Sequence, residues 1–185
     1  MGKLILVTGG ARSGKSVFAE NTAKSLGENV LYVATSIPID HEMEMRIKKH
    51  REQRPFNWQT VEAYKDLRIH LKTEIEGKSA VLIDCITVMI TNILFENRID
   101  PDNLESGDFE NLEMSVNTHV IELIGFIKDC DVPFILVTNE VGMGLVPENA
   151  LGRLFRDIAG RVNQKIAEAS DEVYFCVSGI PMKIK

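Results

Sequence analysis

Cysteine is scarce in this chain. Three thiols, at 85, 130 and 176, stand far apart in 185 residues. Such spacing offers neither a zinc-ligand pattern nor an obvious disulfide framework. Cys85 and Cys176 lie in apolar, strand-like runs and read as small core residues. Long hydrophobic runs are also missing: none approaches the roughly 20 residues of a membrane-spanning helix. The first apolar run leads straight into a glycine-rich loop, without the plan of a signal peptide, so the expected location is the cytoplasm. Basic residues are outnumbered, 21 Lys and Arg against 27 Asp and Glu, which argues against general nucleic-acid binding. Internal repeats, low-complexity segments and linkers are absent. The expectation is one domain over residues 1–185, large enough for a layered core.

What is there begins with Gly9-Gly10-Ala11-Arg12-Ser13-Gly14-Lys15-Ser16, which fits G-x-x-x-x-G-K-[ST] at every fixed position. Leu4–Thr8 before it reads as a buried strand. Ser16–Leu26 after it reads as a helix, with Phe18, Ala19, Thr22, Ala23 and Leu26 on one face. In that context the glycines let backbone N–H groups wrap a phosphate, and the helix N-terminus adds a favourable dipole. Lys15 would reach the outer phosphates, and the Ser16 hydroxyl would hold Mg²⁺.

Further strands are expected at Val30–Ala34, Ala80–Asp84, Phe134–Thr138 and Glu172–Val177, with a short one at Trp58–Glu62. Helical patterns run from Ile86 to Glu96 and from Leu112 to Lys128. Another stripe joins Leu154, Ile158, Val162 and Ile166. Strand–helix alternation of this kind predicts an α/β fold with a mostly parallel sheet and right-handed crossovers. Ligands of such sheets bind at the carboxyl ends of the strands. Thr8, Thr35, Asp84 and Asn139 all fall there.

Asp84 ends the apolar strand Ala80-Val81-Leu82-Ile83. It either serves Mg²⁺ or caps the following helix; the glycine loop favours the metal role. His50 stands in the segment Arg46–Arg54, which carries five Arg or Lys against one Glu. Helical spacing would put Arg46, His50 and Arg54 on one face. Neighbouring cations keep an imidazole neutral and able to attack phosphorus, and they clamp a polyphosphate. The plain alternative is a surface histidine on a solvated helix, the reading given to His41, His70 and His119. The acidic stretch Asp100–Glu110 is expected to be a solvated loop. Glu140 precedes a Gly-x-Gly turn and either faces a ligand or belongs to a structural turn. Asp157-Ile158-Ala159-Gly160 imitates a GTPase motif but lies in a helical pattern. Arg153, Arg156 and Arg161 either contribute a phosphate contact or, the plainer reading, form solvated helix surface.

Taken together, several segments carry a resemblance. They are Thr8–Ser16, Tyr32–Thr35, Arg46…His50-Arg51…Arg54-Pro55…Trp58 and Asp84-Cys85-Ile86-Thr87…Thr91-Asn92. Val137–Gly144…Val146-Pro147, Arg156-Asp157…Gly160–Gln164 and Val177-Ser178-Gly179 complete the set. The chain resembles, nearly end to end, the bifunctional adenosylcobinamide kinase/adenosylcobinamide-phosphate guanylyltransferases of cobalamin biosynthesis. The resemblance implies a RecA-like P-loop fold and two reactions. ATP or GTP phosphorylates the aminopropanol hydroxyl of adenosylcobinamide. GTP then gives GMP to the phosphate product through a guanylyl-histidine, releasing pyrophosphate. It implies His50 as the guanylylated residue. It places nucleotide contacts on Gly9–Ser16, on Val33, Ala34 and Thr35, on Arg51, Glu52, Gln53 and Arg54, and on Glu62 and Asp84. It further implies a homotrimer. Some relatives carry Glu in place of Asp84; either serves Mg²⁺.

Three other classes compete with this one. A plain P-loop kinase would leave His50 a bystander. A nucleotide-driven switch would want guanine-specificity and switch motifs that the sequence lacks. A nucleic-acid motor fits poorly with a small acidic chain.

Overall fold

The computed structural model describes residues 2–37, 45, 55–96 and 106–185. Among the described residues the elements are, in chain order, β1 Leu4–Gly9, α1 Lys15–Leu26, β2 Val30–Ala34, β3 Gln59–Glu62, α2 Leu67–Leu71, β4 Ala80–Asp84, α3 Ile86–Glu96, α4 Ser106–Asp129, β5 Phe134–Asn139, α5 Ala150–Ala169, β6 Glu172–Val177 and β7 Ile180–Lys183. The sheet order is β3-β2-β4-β5-β1-β6-β7. Every pairing is parallel except β6 with β7. This is the expected α/β architecture, a mostly parallel sheet flanked by helices, with the glycine loop between β1 and α1.

The central strands are apolar on both faces because both faces are covered. Alternation sends Leu4, Leu6, Leu31, Val33, Val81, Ile83 and Leu136 into one core, shared with α2, α3, α4 and α5. Ile5, Val7, Tyr32, Ala34, Leu82 and Val137 go into the other, against Ala19 and Ala23 of α1. The helical periodicity of α4 puts Leu112, Val116, Val120, Leu123 and Ile127 on its buried stripe. Each such side chain contributes about 1.5–3 kcal/mol by leaving water.

Three expectations need correction. The acidic stretch is not all loop: α4 begins at Ser106, so Asp108 and Glu110 are helical. Asp108 sits in the first turn, where a negative charge opposes the helix dipole favourably. The short edge strand begins at Gln59, and Trp58 is buried beside it rather than paired in it. Leu26, at the end of α1, is exposed instead of sharing the buried face of Ala19 and Ala23.

Candidate functional site

The glycine loop leaves β1 at its carboxyl end and re-enters helix at Lys15. Its shape depends on two glycines. A Cβ on Gly9 would lie 2.5 Å from the Cys176 carbonyl oxygen and 2.6 Å from Ser13 Oγ. Gly14 has φ +88, and a Cβ there would meet Gly179 Cα at 2.9 Å. Gly179 forms the β6–β7 turn with Ser178, and its N–H donates to the Ser13 carbonyl at 2.9 Å. The far hairpin of the sheet therefore braces the loop from behind. Gly10 has open space where its side chain would be.

Gly14 also caps α1 without a side-chain bond, so the first-turn N–H groups have no residue to satisfy them from the cap. Thr8 Oγ1 and Ser13 Oγ are buried without a partner among the described residues. Buried hydroxyls in that condition are costly unless a ligand or water meets them. Lys15 is only 9% exposed, and its Nζ donates to the Gly10 carbonyl at 3.0 Å. The lysine thus lies across the loop, beside the unpaired hydroxyls and the first-turn N–H groups, an arrangement of donors suited to an anion. Ser16 follows in the first turn of α1, half-buried, while Arg12 is exposed.

Asp84 ends β4, two strands from β1, with β5 between them. At normal strand spacing that is about 10 Å between backbones. Asp84 shares the parity of Ala80 and Leu82, so its side chain emerges on the α1 side of the sheet. The Tyr32 hydroxyl donates to Asp84 Oδ2 at 3.0 Å. The next residue is clamped: Thr35 Oγ1 donates to the Cys85 carbonyl at 2.7 Å and accepts from Cys85 N at 2.9 Å. The Asp84–Cys85 peptide is cis. Asn92 Nδ2 fixes Thr35 in turn through its carbonyl, at 2.7 Å. Burial, with the Asp84 charge adding to it, pushes the Cys85 thiol up to about 12. Cys85 is therefore an inert core thiol, as its apolar run predicts, and Cys130 and Cys176 are buried free thiols too.

A second polar cluster lies under the end of β5. Thr138 Oγ1 donates to Asn163 Oδ1 at 2.7 Å and lies 3.1 Å from Thr87 Oγ1. Asn139 N donates to Thr87 Oγ1 at 2.6 Å, and Asn163 Nδ2 to the Asn139 carbonyl at 3.1 Å. Through these bonds α3 and α5 both hold the strand end that precedes Glu140. Glu140 N donates to the Gly9 carbonyl at 3.1 Å, and its carboxylate accepts from Gly142 N at 3.2 Å. Its structural-turn reading is the one the geometry displays.

The other sequence candidates fall as follows. Val33, Ala34 and Thr35 are buried at the end of β2, with Val33 directed into the multi-helix core. Ala34 is in register with both Asp84 and Glu62, so Glu62 ends the neighbouring strand and is exposed. His50, Arg51, Glu52, Gln53 and Arg54 lie outside the described residues, as does His41. Arg161 forms a two-pronged ion pair with Glu113 at 2.6 and 2.9 Å. Arg153 binds the carbonyls of Pro147 and Glu148. Asp157–Gly160 is interior to α5, so the GTPase-like pattern is coincidental. The sequence reading gives no role to Tyr32, Thr87, Asn92, Asn163 or Gly179. Thr87 and Asn92 are polar residues that interrupt the otherwise apolar α3, a signal that could have found them; the other three carry no such mark.

Comparison with known proteins adds the following. The family model of cobinamide kinase / cobinamide phosphate guanyltransferase matches residues 5–184. The bifunctional adenosylcobalamin biosynthesis protein CobU of Escherichia coli (strain K12) is 48% identical over 182 residues, 98% of this chain and 99% of the relative. The protein of the same description from Salmonella typhimurium (strain LT2) is 47% identical over the same shares. The bifunctional adenosylcobalamin biosynthesis protein CobP of Pseudomonas aeruginosa is 41% identical over 180 residues, 97% of this chain and 96% of the relative. Among solved structures, the RadB recombinase aligns with a TM-score of 0.44 at 14% identity, covering 94% of this chain and 73% of that one.

Proposed function

Because this chain belongs to the cobinamide kinase / cobinamide phosphate guanyltransferase family of enzymes, we propose that its one domain, residues 1–185, performs both transfers. In the first, ATP or GTP gives its γ-phosphoryl group to the aminopropanol hydroxyl of adenosylcobinamide. In the second, an imidazole nitrogen of His50 attacks the α-phosphorus of GTP. The N–P bond forms as the bond to pyrophosphate breaks. A phosphate oxygen of adenosylcobinamide phosphate then displaces the histidine, giving adenosylcobinamide-GDP.

The roles follow from chemistry. Gly9–Ser16 cradle the phosphates, which supply acceptors for the stranded Ser13 and Thr8 hydroxyls and for the first-turn N–H groups. Lys15 exchanges the Gly10 carbonyl for phosphate oxygens. Ser16 and Asp84 offer hard oxygen donors on one side of the sheet, a fit for Mg²⁺, which otherwise takes phosphate oxygens and water. Bound there, Mg²⁺ would neutralise phosphate charge. Thr35 with Val33 and Ala34, Glu62, and Arg51–Arg54 complete the nucleotide contacts. Arg51 and Arg54 stabilise the departing pyrophosphate. A cytoplasmic homotrimer is part of the same proposal.

The observation that carries this reading is a braced phosphate loop sharing the sheet's carboxyl edge with Asp84, in a chain matched to the family over residues 5–184. The test uses pure protein, Mg²⁺ and α-labelled GTP without corrinoid, followed by denaturation. Acid-labile, alkali-stable label that is absent from His50→Ala is expected. Unlabelled protein that still binds GTP would reduce the reading to a plain kinase.

A further inference from the structure

A cleft of about 380 Å³ opens between the last turn of α3 and the first turns of α5. Leu94, Phe95, Leu151 and Phe155 make its walls, and Thr91 and Asn149 supply its polar groups. That volume and that apolar lining with few polar groups are those of a small-molecule site. The nucleotide has no use for it: phosphates and cation engage the loop and Asp84 on the α1 side.

The approach to the cleft is apolar as well. Between β5 and α5 the chain carries Met143, Leu145 and Val146, which are 77%, 96% and 62% exposed. Three large apolar side chains in so short a surface segment mark a contact face. This segment is tied at both ends. Glu140 N holds it to Gly9 of the phosphate loop. Asn149, the cap of α5, closes it by accepting from Gly152 N at 2.6 Å. The segment that joins the phosphate loop to the cleft therefore carries exposed apolar side chains at Met143, Leu145 and Val146. Phe95, on α3, is 61% exposed as well.

We propose that this cleft and the Met143–Val146 segment hold the corrin ring of the cobinamide acceptor, an inference that rests on the function proposed above. A phosphoryl acceptor must place one hydroxyl at the phosphate while its bulk sits elsewhere in a fixed orientation. The corrin rim is studded with methyl groups and amide arms. The methyl edge suits Phe95, Leu94, Leu145 and Phe155. Thr91 and Asn149 can exchange hydrogen bonds with the amides. A ring seated here extends its aminopropanol arm along the Glu140 segment toward Gly9.

Phe95→Ser and Leu145→Ser test this, since both side chains are exposed in the free chain and their loss leaves the core intact. Cobinamide and nucleotide KM are measured for kinase turnover, cobinamide Kd by equilibrium dialysis followed by corrinoid absorbance, and mass by sedimentation. The double variant is expected to lose about tenfold in cobinamide Kd and KM, with nucleotide KM and melting temperature unchanged. Unchanged cobinamide constants, in variants of a parent protein that does phosphorylate cobinamide, would overturn the cleft and leave the function standing. A parent that binds nucleotide but never phosphorylates cobinamide would overturn the function itself. A change in sedimented mass with unaltered cobinamide constants would assign the face to a second copy of the chain and reject the acceptor.

Discussion

The hydroxyl of Tyr32 donates to Asp84 Oδ2 at 3.0 Å, joining β2 to the end of β4. The strands are in register there, with Tyr32 opposite Leu82 and Ala34 opposite Asp84, so the ring crosses one step up the sheet to reach the carboxylate. In the proposed metal role of Asp84, this bond fixes one of its oxygens and leaves the other for the ion. Outer partners of this kind typically govern ligand affinity by 10–100-fold. Tyr32→Phe is expected to raise the Mg²⁺ concentration for half-maximal kinase activity about tenfold. Kinase titrations with Mg²⁺, read beside a thermal melt, check this; a fall in stability with no shift in Mg²⁺ dependence would make the bond purely structural.

Gly14→Ala meets two obstacles at once. Its φ of +88 disfavours any side chain, and the new methyl would lie 2.9 Å from backbone Gly179. The conformational part alone costs about 1–2 kcal/mol. The variant should melt lower and bind nucleotide at least tenfold more weakly. Calorimetry of ATP binding at a temperature where the variant is folded separates the two effects.

Removing the Asn163 amide takes the acceptor from the buried Thr138 hydroxyl, which keeps only Thr87 beside it, and the donor from the partly buried Asn139 carbonyl. A loss of about 2–3 kcal/mol in unfolding free energy is expected for Asn163→Ala, by denaturant titration. Thr138→Val together with Asn163→Leu removes donor and acceptor at once, and should cost less than Asn163→Ala.

Glu172 accepts from Lys3 at 2.6 Å and from Tyr174 at 2.8 Å, and pairs with Lys183 at 3.0 Å. Hydrogen bonds from Lys3, then Lys183 and Tyr174, draw its carboxyl down from 4.5 to about 2. A depressed folded value means stability that is present above the unfolded value. It is lost as pH falls through the window from about 4.5 to about 2. Glu172→Gln should therefore melt below the parent at pH 7, and the gap should close across that window. Parallel melts from pH 7 to pH 2 check the sign.

Lys15 and His50 are expected to separate the two transfers. Lys15→Ala should damage both by 100-fold or more, because both use the loop's charge. His50→Ala should abolish protein labelling by GTP and leave kinase turnover measurable. Equal loss of both activities in a folded His50→Ala protein would argue against distinct roles.

The sheet was legible because its strands are short apolar runs bounded by turns, and α3 because its apolar residues span helical length. Most element ends shifted by a residue or two, as at Asn139, where polar side chains carry no period; α4 begins six residues before Leu112, because Ser106–Asn111 carry little of its apolar stripe. Two elements left no such trace. Helix α2, Leu67–Leu71, is too short to show a helical repeat. Strand β7 is exposed at every position and contains Pro181, a residue tolerated on an edge; the Ser178-Gly179 turn was its one signal. At the site, the glycine loop and Asp84 were readable as motif and strand end. The Tyr32 bond was not, since it depends on the register between two strands 52 residues apart in sequence. The Thr87–Thr138–Asn163 cluster was hidden for the same reason: three elements must assemble before its members meet.

The backing of the phosphate loop by Gly179 has a temporal side. Gly179 follows Gly9–Ser16 by more than 160 residues in the chain. While those residues are being made, a growing chain holds the complete phosphate motif without the wall that shapes it. Competence to grip a nucleotide is in this fold acquired only with the β6–β7 hairpin. A chain released short of the β6–β7 hairpin would display the signature and lack the grip.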